Sequence, residues 1–279
     1  MRPLEDVNIV SLATNLPGPL AVSRLADLGA TVTKVEPPTG DLLAVCAPDW
    51  YRKLIANQKV VVLDAKAPAD RAELDRLLSE ADLLVTAMRP SALARLGLSD
   101  PHLIHPRLSL IEIVGEDGDA AERPGHDLNY QALHGTLTPP NLPTVPLADI
   151  LGAERAVSAA QSALLLRAKT GVGQTHRVVL AEAAARAADS IRYNLTAPGA
   201  LLGGAYPAYG IYATADGYVA LGAGEPHFWQ RTMEIFALDG THESVATAFA
   251  THTTAELEAI ATRDDLPLTR VHQLGTTAA

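Results

Sequence analysis

The chain has 279 residues, 48% of them hydrophobic and 19% charged, enough for one large globular domain or for a large and a small one. Aromatics make up only 4% and the formal charge is −10, a balance that disfavours nucleic acid and anionic membranes as partners. Cys46 is the single cysteine, so no intrachain disulfide and no cysteine-based metal motif can form. The opening MRPLEDVNIVSLA is too short and too charged for a signal peptide, and no apolar run approaches transmembrane length, so a cytoplasmic protein is expected.

The first part of the chain alternates between two periods. VNIVSLA (7–13) is a short apolar run suited to a buried strand. PLAVSRLADLG (19–29) has helical spacing, with Pro19 suited to the first turn and Gly29 to the stop. ATVTKVE (30–36), KVVVLDA (59–65), ADLLVTA (81–87) and RLSLIEIVG (107–115) read as further strands. PADRAELDRLLSE (68–80) is an amphipathic helix among them. Strands and helices alternating over short connections predict a doubly wound parallel sheet.

HDLNYQALHG (126–135) predicts a helix, and GAERAVSAAQSALLLRAKTG (152–171) a longer one ending at a glycine. QTHRVVL (174–180) adds a strand, and AEAAARAADSIRYNL (181–195) another helix. A large domain over 1–196 is therefore expected. APGALLGGAYPAYG (197–210) follows as a linker or active-site loop, and 211–279 as a smaller α+β domain. Within the latter, GIYATADGYVALGAG predicts a hairpin turning at Asp216-Gly217, with helices at EPHFWQRTMEIFAL and TTAELEAIATR.

Several residues invite a chemical reading. The first strand is followed by NLPGPL (15–20) rather than GxGxxG, which argues against a nicotinamide dinucleotide site, although the helix near Pro19 could offer amides to a phosphate. Lys34, Lys66, Arg89 and Arg95 fall where parallel strands should end, the edge at which such sheets bind ligands, and could form a phosphate clamp. Taken singly, each reads as a surface charge. His126 and Asp127 open a predicted helix, while Asp149 and Glu225 each stand where an apolar run meets a helix start. Alone, the two acids read as caps and His126 as a helix-start polar residue. None of the histidines shows HExxH or paired-ligand spacing, so no metal is expected.

Seven segments, in order, resemble the class III CoA-transferase (CaiB/BaiF) family, and within it the α-methylacyl-CoA racemase branch. They are GPLAVSRLADLGATVTKVEPPTGD (18–41), NQKVVVLDAKAP (57–68), MRPSALARLGLS (88–99), RPGHDLNYQALHG (123–135), PLAD (146–149), KTGVGQTHRVVLAEA (169–183) and DGYVALGAGEPHFWQ (216–230). The resemblance implies a Rossmann-like large domain, a small domain and an interlocked homodimer. It implies an acyl-CoA substrate and no cofactor beyond the CoA that the substrate carries. By the same resemblance the main chain of Asn15, Leu16 and Pro17, with Leu63, Lys66, Met88, Arg89, Arg95 and Tyr130, would contact CoA.

Two chemistries compete within that family. In the transferase chemistry the aspartate matching Asp149 is a nucleophile that passes through an aspartyl-CoA thioester. In the racemase chemistry the same aspartate is an acid/base facing the histidine matching His126. The His-Asp pair of GHDLNY and the glutamate of GEPHFW are racemase-like. Inversion at carbon needs a base on one face and an acid on the other, and His126 and Asp149 are chemically different groups. Glu225 would accept a hydrogen bond from His126 and set its tautomer, and amides at the start of the Asp149 helix would hold the enolate. The expected activity is thus inversion of a 2-methyl-branched acyl-CoA, the alternatives being CoA transfer between carboxylates or acyl-CoA binding without catalysis. The sequence departs from the family pattern at Pro37, at Val145 and in the reduced ILGAE tail after Asp149; relatives also continue beyond the LPLTRVHQLGTTAA at its end.

Overall fold

The computed structural model describes residues 2–272. The chain divides into two compact units, Met1–Ala188 and Asp189–Ala279, a division that falls ahead of position 196.

In the first unit six strands, β1 (Asn8–Ser11), β2 (Thr31–Glu36), β3 (Gln58–Val62), β4 (Leu83–Thr86), β5 (Ser109–Val114) and β6 (Thr175–Val179), form one sheet in the order β3-β2-β1-β4-β5-β6. All of its pairings are parallel. Strands buried on both faces carry near-continuous apolar runs, which is why VNIVSLA and ADLLVTA read as strands without alternation. Each splits its side chains between two cores. Leu83 and Val85 of β4 face one with Ile9, Val32 and Ile111, while Leu84 faces the other with Val10, Val35 and Leu110.

Helix α1 (Pro17–Asp27) packs into the first core through Val22 and Leu25. Two helices follow that no periodicity announced, α2 (Leu42–Cys46) and α3 (Pro48–Ile55). Helix α4 (Pro68–Ser79) buries Leu74, Leu77 and Leu78 in the second core, and the short α5 (Pro90–Arg95) adds Leu93. Fully burying one such leucine contributes about 1.5–3 kcal/mol. After β5 come α6 (Asp127–His134), closed by the left-handed Gly135, and α7 (Leu147–Thr170). Helix α7 begins five residues ahead of the predicted 152, which puts Asp149 inside its first turn. Its buried face is Ala153, Ala156, Ala160 and Ala163, small enough to let the helix lie close on its neighbours. Helix α8 (Leu180–Ala187) closes the unit.

The single helix expected over 181–195 is interrupted. Beyond α8 only the short α9 (Asp189–Arg192) is helical. The carbonyl of Ser190 accepts from the amides of both Leu195 and Thr196, and Asn194 takes a left-handed φ of 59°, so the chain folds back on itself. The second unit is a three-stranded antiparallel sheet, β7 (Tyr209–Ala213), β8 (Tyr218–Gly222) and β9 (Leu268–Arg270), with α10 (Pro226–Phe236), α11 (His242–Ala250) and α12 (Thr254–Asp264). Tyr212, Val219, Leu221, Val245, Phe249 and Leu257 make its core. The predicted hairpin is present. Its turn is closed by the Thr214 amide donating to the Gly217 carbonyl at 2.9 Å, and the Asp216 carboxylate accepts from the Thr254 amide at the start of α12 at 2.7 Å.

Candidate functional site

The strand order reverses between β1 and β4, the point at which open parallel sheets bind ligands beyond their carboxyl ends. A cavity of about 250 Å³ opens there. Thr14, Asn15 and Pro17 after β1, Ala87, Met88 and Arg89 after β4, and the end of β5 at Ile113–Gly115 form its floor and sides. The segment 123–126, Tyr130, Asp149 and Leu180 complete the wall.

His126 caps the start of α6. Its amide donates to Asn129 Oδ1 at 3.0 Å, one half of a capping box, and its side chain is exposed along the cavity wall. Tyr130, one turn on, is buried with its ring packed over the backbone of Gly115 and Gly125. A Cβ on Gly115 would collide with the phenol oxygen, and one on Gly125 would meet the same ring at 2.9 Å. Burial, followed by the charge of Asp149, raises the Tyr130 pKa, so the hydroxyl stays protonated and can donate.

Asp149 sits in the first turn of α7, where a helix dipole would ordinarily favour the anion. Desolvation by burial and then the charge of Asp127 overrule that preference and push its pKa up to about 7. Asp127 is the unexpected member. The sequence reading gives it the start of α6, which it does occupy, but its buried carboxylate caps a different helix. Asp127 Oδ1 accepts from the amides of Ala148 at 2.7 Å and Asp149 at 3.1 Å, and Oδ2 accepts from Gln131 Nε2 at 2.6 Å. Of the amides that open the Asp149 helix, those of Ala148 and Asp149 are thus committed to Asp127.

Lys34 requires a correction. It is not a ligand clamp: its side chain is buried, with Nζ 2.7 Å from Asp41 Oδ2, 3.0 Å from Glu36 Oε1 and 3.3 Å from the Ala13 carbonyl. Tyr51 donates to the same Glu36 oxygen at 2.6 Å. The other Asp41 oxygen accepts from the Asn15 amide at 2.9 Å and holds that residue at a left-handed φ of 68°. With prolines at 17 and 19 the start of α1 has two amides fewer, and that of Asn15 is taken by Asp41, so this helix start offers a phosphate fewer donors than most.

Among the residues expected to contact CoA, Asn15, Pro17, Met88, Arg89 and Tyr130 line the cavity together with His126 and Asp149. Leu16, Leu63, Lys66 and Arg95 lie outside its walls. Leu63 follows β3, its amide donating to the Glu36 carbonyl, and Lys66 is exposed close by in the chain. Arg95 is exposed at the end of α5, near Glu122, whose pKa is lowered by the Ser91 hydroxyl and amide and then by Arg89 and Arg95. Glu225 belongs to the second unit, as the residue before Pro226 at the start of α10. Arg123 lines the cavity and was missed, although it stands three residues ahead of His126 in the same motif. Among the described residues no group of three or more His, Cys, Asp or Glu side chains could hold a metal ion, and no helix is long and apolar enough to cross a membrane.

Comparison with known proteins supplies names for this arrangement. A family model described as CoA-transferase family III matches residues 4–279. Succinyl-CoA–D-citramalate CoA-transferase of Chloroflexus aurantiacus is 30% identical over 90% of this chain and 68% of its own length. Alpha-methylacyl-CoA racemase of Homo sapiens is 32% identical over 81% of this chain and 63% of its own length. The chain thus spans about two thirds of these relatives. The crystal structure of Rv3272 from Mycobacterium tuberculosis superposes with a TM-score of 0.84 at 25% identity, covering 98% of this chain and 85% of that one.

Proposed function

The chain belongs to CoA-transferase family III, and from that premise we propose that it inverts the α-carbon of a 2-methyl-branched acyl-CoA by two-base proton transfer. The observation that carries this reading is the pairing of His126 with a carboxyl group whose pKa is held at about 7, in one cavity at the sheet's switch point. A nucleophilic aspartate works best fully ionised. An aspartate that keeps its proton near neutrality suits the acid of a 1,1-proton transfer. In this scheme neutral His126 removes the α-proton, the electron pair moves into the thioester as an enolate, and protonated Asp149 returns a proton to the opposite face. The reverse direction uses the same groups in exchanged protonation states. Tyr130, neutral and on the same wall, is the donor suited to the enolate oxygen. Arg89 and Arg123 offer cations to the phosphates of CoA.

A second reading, CoA transfer with Asp149 as nucleophile, draws on the relatives named as CoA-transferases and on the fraction of Asp149 ionised at neutral pH. Exchange of the α-proton of 2-methylacyl-CoA in heavy water separates the two. Proton transfer predicts inversion that His126→Ala and Asp149→Ala each abolish, with each variant left to exchange at most one enantiomer, and Glu225→Gln tests the third residue that the family resemblance assigns. Hydroxylamine trapping at Asp149 in the presence of acyl-CoA, without exchange, would establish the transferase. Binding of CoA with neither result would leave an acyl-CoA-binding protein. The interlocked homodimer belongs to the same reading and is checked by sedimentation of the purified protein.

A further inference from the structure

We infer that Asp127 is a positioning residue for proton transfer: its carboxylate ties the first turn of α7 to the start of α6 and thereby fixes Asp149 relative to His126. The inference rests on the proton-transfer reading. Its basis is one buried side chain with three hydrogen bonds to two elements. Asp127 Oδ1 takes the Ala148 and Asp149 amides, Oδ2 takes Gln131 Nε2, and Gln131 Nε2 in turn lies 3.1 Å from the Val145 carbonyl just before α7. Asp127 follows His126 directly in the chain. Its backbone is therefore fixed to the proposed base while its side chain is fixed to the backbone of the proposed acid. A displacement on the order of 1 Å between such groups costs about a hundredfold in rate.

The same carboxylate sets the charge at the junction. An anion capping α7 takes the place where the dipole would best hold a second anion, so Asp149 is left beside a like charge. The other titratable groups around Asp149 are His126 and Tyr130 from α6, Arg89 beyond β4 and Arg123 ahead of α6, with Glu116 beyond β5 acting on Tyr130. Burial and the charge of Asp127 raise the Asp149 pKa. Asp127 thus performs two tasks, holding the helix start in place and adding its charge to the rise that burial produces at Asp149, and two substitutions separate them. Asp127→Asn keeps an oxygen acceptor for the amides and removes the charge. Asp127→Ala removes both.

The test combines α-proton exchange with a readout that does not depend on turnover, titration of the Asp149 carboxyl by NMR in the intact chain labelled at aspartate carboxyls. Asp127→Asn should shift the Asp149 titration to lower pH by about one unit. The acid-dependent limb of the exchange profile should move with it. Asp127→Ala should reduce exchange at saturating acyl-CoA by tenfold or more, with KM within about threefold, because the loss falls on alignment rather than on binding. A folded Asp127→Ala protein that exchanges at the wild-type rate would overturn the inference, and if that variant does not fold, Asp127→Glu, which keeps the charge but moves the carboxylate by one methylene, overturns it by the same result. Wild-type protein that exchanges no α-proton would defeat the proton-transfer reading, whereas the Asp149 titration would still report whether Asp127 governs that carboxyl.

Discussion

Two groups of acids stand at the carboxyl edge of the same sheet and are held in opposite ways. Around β2, Glu36 and Asp41 share a buried lysine, and every donor of the group is directed inward to a carbonyl or a carboxylate. Between α6 and α7, Asp127 and Asp149 lie together, and among the described residues the partners of the Asp127 carboxylate are amides rather than a cation. The first arrangement cancels its charge and becomes a strut for the left-handed Asn15 at the cavity wall. The second leaves charge uncancelled, and the excess appears as a carboxyl group that titrates near neutrality. Burial raises the carboxyl of Asp149 and the uncompensated charge of Asp127 adds to the rise, whereas a shared lysine offsets the burial of Glu36 and Asp41.

The contrast can be broken most forcefully at Lys34. Lys34→Met strands two buried carboxylates and should cost about 3–5 kcal/mol of unfolding free energy in urea melts. A midpoint equal to wild type would show that the lysine was not cancelling them. Asp149→Asn should act in the opposite direction. A carboxyl whose pKa rises from 3.8 to about 7 on folding supports the fold below pH 4, and that support is lost as pH climbs through 7. The asparagine variant should thus be more stable than wild type at pH 8, by at most about 4 kcal/mol, and the gain should disappear by pH 4. Melting temperatures at the two pH values check the sign. Gly115→Ala pushes a methyl group into the Tyr130 phenol and should cost about 1–3 kcal/mol, with loss of ligand affinity measurable by calorimetry. Tyr51→Phe removes one hydrogen bond from the cancelled group and should cost only about 1 kcal/mol, without effect on the Asp149 titration.

Apolar runs and helical periods made the parallel sheet legible in the sequence, because each strand of a two-faced sheet must be apolar whatever its neighbours are. The family motifs then brought His126, Asp149, Tyr130 and Arg89 to one place, and the cavity at the strand switch gathers these four. Long-range pairing was not legible. Lys34 looks like any strand-end lysine until Asp41, seven residues on, folds back over it. Asp127 looks like the cap of its own helix, whereas its partners are 21 and 22 residues away at the start of the next one. Helices α2 and α3 escaped because both are short, α2 with no buried residue and α3 with Leu54 alone.

The prolines that open α1 reach beyond the geometry of that turn. A helix start with two prolines offers fewer amides to an anion, which gives more weight to Arg89 and Arg123, cations of the cavity wall that are both exposed to solvent. Attraction between mobile, hydrated charges is screened within about 8 Å at physiological ionic strength. Association of an anionic ligand at this edge should accordingly slow as salt rises.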